Sequence, residues 1–169
     1  MRFKVLGAVV ALLAVSVVFA QMVVTRVTAR GYATNSSSQR LDFQFSSARM
    51  QSGSNTRYLG NGSFRWRSGS NVYQVTIRRV SAMLALNEGD RVVEMSGTAE
   101  LRQGSNFLGG RTQRNVGAFT LRLVDRADDD EDDTVEFSFS AGAGLNAVNI
   151  YYTGTVQDGS QLNIVENTF

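Results

Sequence analysis

Gly117-Ala118-Phe119-Thr120-Leu121-Arg122-Leu123-Val124 and Thr134-Val135-Glu136-Phe137-Ser138-Phe139-Ser140 decide the fold, with the acidic run Asp125-Arg126-Ala127-Asp128-Asp129-Asp130-Glu131-Asp132-Asp133 between them. Phe119, Leu121 and Leu123 alternate with Thr120 and Arg122, and Val135, Phe137 and Phe139 alternate with Glu136 and Ser138. A period of two marks strands with one buried face. The acidic run has no apolar face to bury and reads as the loop joining them. Strand, loop, strand is therefore the repeating unit.

The same alternation recurs on both sides. Val23, Val24, Val27 and Tyr32 interleave with Thr and Arg, and Leu41, Phe43 and Phe45 with Asp42, Gln44 and Ser46. Phe64 and Trp66 share a face, Ser68-Gly69-Ser70-Asn71 turns the chain, and Tyr73, Val75 and Ile77 follow in step, which predicts a hairpin. Ser81–Leu86 fits either a strand or a helical turn. Val93, Met95, Gly97, Ala99 and Leu101 oppose Glu94, Ser96, Thr98, Glu100 and Arg102. Val148, Ile150 and Tyr152 begin the last pair, in which Asp158-Gly159 predicts a tight turn closing a hairpin with Gln161–Val165. Turn signals recur every ten to fifteen residues or so without a helical period. The expectation is one all-β domain over 21–169. It is an antiparallel β-sandwich, Ig-like or jelly-roll-like, of about eight to nine strands. Outward Arg65, Arg67, Arg78, Arg102 and Arg122 are placed to pair with Glu94, Glu100 and Glu136 across strands.

Residues 1–20 stand apart. Arg2 and Lys4 precede the apolar run Val5–Val18, and Val18-Phe19-Ala20 forms a signal-peptidase site before Gln21. This is the pattern of a secretory signal peptide. An uncleaved anchor is the other reading, because Val5–Val24 is long enough to span a bilayer. The expected location is secreted, extracellular or periplasmic, with membrane contact only through the leader if it is retained.

Taking Arg2 and Lys4 from the 17 basic residues leaves as many Arg as the 15 acids, so the formal charge of +2 falls to zero. Nucleic-acid binding loses its electrostatic basis. Charge is nonetheless segregated. Gln21–Arg122 carries 14 Arg and 5 acids, whereas Asp125–Glu136 carries 8 acids and one Arg. There is no Cys, Pro or His, and Lys4 is the only Lys. His-dependent triads, Schiff-base chemistry and the commonest zinc ligand are excluded. The remaining acids outside the run are sparse and outward, so the chain is expected to be no enzyme.

The order of glycine-bearing segments resembles a group of small secreted bacterial β domains of unknown function, found after choice-of-anchor-type modules in surface proteins. The matching pieces are Gly60-Asn61-Gly62-Ser63-Phe64, Gly97-Thr98-Ala99, Gly117-Ala118-Phe119, Asp125, Asp133-Thr134-Val135 and Gly154-Thr155-Val156 with Gly159-Ser160-Gln161-Leu162-Asn163-Ile164. They span about residues 60–164. That group carries a Gly/Pro turn after the Asp, where this chain runs Asp128–Asp133. The resemblance implies a β fold and an extracellular setting, and no activity.

Two sets of residues are candidate contact sites. Asp128, Asp130 and Asp132 copy the first three ligand positions of a calcium loop, with Asp133 beside them. Asp133 and Phe139 stand where an EF-hand needs Gly and Glu, so any calcium site here is of another kind. Calcium is the one candidate cofactor. The other readings of the run are a solvated hairpin tip and a tip that docks on the Arg-bearing body of a second copy. Tyr151 and Tyr152 are adjacent, so only one points inward, and the pair is the candidate interaction site. Trp66 and Tyr73 fit the core better than a sugar platform. An outer-membrane barrel is a minor reading, opposed by the polar Asn163, Glu166 and Asn167. The functional expectation is a non-enzymatic structural or interaction domain at the cell surface or in an extracellular matrix or filament. Its partners would be a second copy, a surface protein or a glycan. A calcium- or glycan-binding module is the alternative.

Overall fold

A computed structural model describes residues 21–104, 113–127, 132–144 and 147–169. Residues 1–20, the expected leader, lie outside the described residues, as do Asp128 and Asp130. The strands are β1 (Met22–Thr34), β2 (Arg40–Ser52), β3 (Asn55–Ser68), β4 (Asn71–Glu88), β5 (Asp90–Gly104), β6 (Gln113–Asp125), β7 (Thr134–Ala141), β8 (Val148–Val156) and β9 (Gln161–Thr168). Ser81–Leu86, open between two readings in the sequence, is strand within β4.

Each strand from β2 to β8 pairs antiparallel with its predecessor. The circuit then returns to β1. Ala33 and Thr34 pair with Val156 and Thr155 of β8, and Val23–Arg30 pair with β9. The all-β antiparallel expectation holds, but the hydrogen bonds form one closed sheet where two facing sheets were expected.

The closing seam also corrects the expected last hairpin. β8 and β9 both run antiparallel to β1, so they run in the same direction. Between the pairs Ala33–Val156 and Arg30–Gln161, β1 contributes only Gly31 and Tyr32, while the other side contributes Gln157 to Ser160. Asp158-Gly159 does make a tight turn, with Gly159 at φ 84° and Ser160 N–H donating to the Gln157 carbonyl at 3.2 Å. The turn offsets one long strand line without reversing it. β1 captures both ends of the offset. Gln157 N–H donates to the Tyr32 carbonyl at 3.0 Å, and Tyr32 N–H donates to Ser160 Oγ at 3.2 Å. Gly31 makes the room, since a Cβ there would lie 2.1 Å from Ser160 Oγ.

Alternation sorts the side chains. In β2, Leu41, Phe43 and Phe45 are buried, and Asp42, Gln44 and Ser46 are exposed. Phe64 of β3 stacks on Phe137 of β7 with ring centroids 4.5 Å apart, so the core joins opposite walls of the closed sheet. Trp66 is buried in the core and stacks at 5.2 Å on Tyr73, which is partly buried and packs against that core. Side chains fill a closed sheet of this size. The outer face carries Arg30, Gln44, Arg122 and Glu136 in mid-strand, the reverse of the apolar belt of a membrane-spanning barrel.

β4 carries two irregularities in its pairing. Its register with β5 shifts between Ile77 and Arg79 and again between Val80 and Ala82. Such bulges bend a strand and raise its twist. Gly97 of β5 faces the bulges, and a Cβ there would lie 1.9 Å from the Arg79 carbonyl oxygen. Gly97→Ala is therefore expected to lose about 2 kcal/mol or more of unfolding free energy, read from urea denaturation beside Thr98→Ala as an exposed control.

The first bulge also turns Arg78 over Glu100, which Arg102 Nε contacts from the other side at 2.7 Å. The two guanidinium groups pull the Glu100 carboxyl down from 4.5 to about 2. A carboxylate held below its unfolded value stabilises the fold above that value and loses the effect as pH falls through the folded one. Glu100→Gln should thus be less stable than the parent at neutral pH. The gap should close as pH falls from 4.5 towards about 2, measured as urea midpoints over that range.

Candidate functional site

The outer face holds a groove of about 620 Å³ across β4 to β8. Two cross-strand rows build it. Glu94, Arg122 and Glu136 stand directly opposite one another and form one wall. Ser96, Thr120, Ser138 and Tyr151 form the next row, two residues along each strand. Tyr58 and Leu84 lie at the β3–β4 end of the groove, and Tyr151 of β8 lies at the other.

The chemistry of the groove follows from these side chains. Thr120 Oγ1 and Ser138 Oγ share a hydrogen bond of 2.6 Å, so the hydroxyl row is ordered and retains further donor and acceptor capacity. Arg122 Nε donates to Glu94 Oε1 at 3.2 Å, which spaces charge of both signs along the wall. Tyr151 is 70% exposed, and an open ring beside hydroxyls, carboxylates and a guanidinium is an amphipathic contact surface. A second groove of about 690 Å³ crosses β9, β1, β2, β3 and β4, lined by Arg30, Gln44, Asn61, Thr76 and Asn163. The aromatic residue in its lining, Phe45, is buried in the core, so the groove presents no exposed ring like that of Tyr151.

The sequence candidates fall in different places. Tyr151 belongs to the first groove, whereas Tyr152 is 4% exposed and is a core residue. The correction follows from alternation, because Tyr152 pairs inward with Phe137 while Tyr151 pairs outward with Ser138. The Tyr152 hydroxyl lies 2.9 Å from the carbonyls of both Ala33 and Gln39, so its one proton is shared between them and ties β8 to the β1–β2 turn. Burial pushes this phenol up to about 12. Among the acidic candidates, Asp132 is exposed, and Asp133 Oδ1 accepts from Arg126 N–H at 2.8 Å.

At the base of the acidic loop the carboxylates already have partners. Asp90 accepts from Ala127 N–H at 3.1 Å and lies 3.4 Å from Arg126 Nη1. Asp125 lies 2.6 Å from Arg91 Nη2. Burial raises the Asp125 carboxyl, and Arg91 opposes the shift. Among the described residues, no group of three or more acidic side chains is placed to hold a metal ion.

Ser96, Thr120 and Ser138 were not singled out in the sequence. Each is an ordinary outward hydroxyl until the register sets three strands side by side. Comparison of the chain with family models, curated proteins and solved structures found no match. The opposite fates of the adjacent tyrosines give a direct check. Tyr152→Phe should cost about 1–3 kcal/mol by leaving buried carbonyls without their donor, while Tyr151→Phe should leave the denaturation midpoint unchanged.

Proposed function

We propose that the chain is a secreted, non-enzymatic interaction domain that holds a glycan strand in the groove ending at Tyr151. The observation that carries this reading is the juxtaposition of an exposed ring with an ordered hydroxyl row on a rigid, hydrogen-bonded sheet. A pyranose presents an apolar C–H face and a rim of hydroxyls. The Tyr151 ring suits the first, and Ser96, Thr120, Glu94 and Glu136 suit the second. Sites on strands need little reordering when they bind, which keeps the entropic cost low. The leader pattern and the resemblance to surface-protein β domains support an extracellular setting.

Isothermal calorimetry with cellohexaose, chitohexaose and mannohexaose tests the proposal. Saturable binding to at least one is expected, and Tyr151→Ala should weaken it about tenfold, or about 1.4 kcal/mol. Absence of saturable heat with all three, or equal binding by Tyr151→Ala, would count against the glycan groove.

A further inference from the structure

β9 pairs with β1 along its whole length, from Gln161 opposite Arg30 to Thr168 opposite Val23. Its other edge pairs with no strand among the described residues. The directions of its backbone groups follow from the end of the ladder. Met22 and Phe169 exchange both backbone hydrogen bonds, at 3.0 and 2.9 Å. Alternation then turns the amides and carbonyls of Val165 and Asn167 towards β1, and those of Leu162, Ile164 and Glu166 away. Arg91 Nη1 donates to the Leu162 carbonyl at 2.9 Å, on the side away from β1 as this assignment requires. Among the described residues, no strand pairs with the outward-turned donors and acceptors of Ile164 and Glu166.

Sheet edges are usually protected by Lys, Pro, bulges or brevity. β9 is eight residues in unbroken register and contains neither Lys nor Pro. Glu166 is its one charged side chain, and that carboxylate is turned back to Thr25 Oγ1 at 3.1 Å. On the outward face, Val165 is 41% exposed.

We infer that β9 is the pairing edge for a second copy of this chain, in a twofold antiparallel contact centred on Val165. The strand is self-complementary only in particular registers, because the residues that exchange hydrogen bonds must both turn away from β1. Centring on Val165 sets Ile164 of each copy opposite Glu166 of the other, so the two pairs exchange four backbone hydrogen bonds. The same register lays Val165 against Val165 on the outer face and removes both exposed apolar groups from water. Centring on Glu166 would instead set two carboxylates face to face. The contact is isologous, so it closes as a dimer and builds no filament. It uses neither the acidic run nor the Tyr151 groove, and it is independent of the glycan reading.

The chain contains no Cys, so one introduced thiol reports the register. A pair that exchanges no hydrogen bonds across antiparallel strands has Cα atoms about 4.5 Å apart, within the range of about 4.4–6.8 Å that a disulfide spans. Val165→Cys should cross-link to a covalent dimer under mild oxidation far faster than Leu59→Cys, whose parent side chain is 59% exposed. Light scattering of the unmodified protein should give twice the chain mass. Val165→Lys should give the monomer mass with an unchanged far-ultraviolet circular dichroism spectrum, and Val165→Thr should remain a dimer. A protein monomeric at every concentration, a dimer that persists in Val165→Lys, or cross-linking no faster than Leu59→Cys would each overturn the inference.

Discussion

Pairing of β1 on both sides is the constraint on which the rest of the structure depends. β2 holds one edge through thirteen consecutive pairs, and β8 and β9 share the other. Without the second edge the sheet would be open, with the aromatic face of β2 and β3 on one side and that of β6 and β7 far round the turn. Closure brings Phe64 onto Phe137 and makes one interior. The seam is held at three points: the Gly31 slot filled by Ser160, the Gln157–Tyr32 backbone bond, and the Tyr152 hydroxyl between the carbonyls of Ala33 and Gln39. Two of these lie between β8 and β9, where the strand line is offset by a turn.

The seam also sets what the surface offers. Because the offset carries the strand line on past β8, β9 continues along β1 and ends as an edge. Two grooves lie between rows of outward side chains on the closed sheet. Bending has its own sources in β4, whose bulges lie against Gly97. The first bulge also leaves Arg78 free to reach Glu100, so one backbone irregularity shapes the sheet and places an ion-pair network.

Much of the fold was legible in the residues. Alternation located the strands, and Ser68-Gly69-Ser70-Asn71 located a turn, because these signals depend on neighbours a few positions apart. Of the expected cross-strand pairs, Arg78 with Glu100 and Arg122 with Glu94 formed, while Arg102 meets Glu100 along β5 itself. Asp158-Gly159 was legible as a turn but misleading as a hairpin. A tight turn reverses a chain only if the flanking segments pair with each other, and here β1 captured both. The candidate site was half legible. Neighbouring tyrosines had to point to opposite faces, and the step of Val148, Ile150 and Tyr152 favoured Tyr152 as the inward one. The hydroxyl row beside Tyr151 was invisible, since Ser96, Thr120 and Ser138 are separated by whole strands.

By itself the sequence determined the class of the fold, the segments that are strands, and the chemistry ruled out by the absence of His and Cys, because each rests on residue type or on spacing within a few residues. Only the tertiary structure decided that the sheet closes, that a groove forms beside Tyr151, and that the second edge of β9 pairs with no strand among the described residues. These depend on register and on partner choice between strands far apart in the chain. A shift of one residue in register would exchange the faces of every side chain on a strand while leaving its composition and periodicity unchanged.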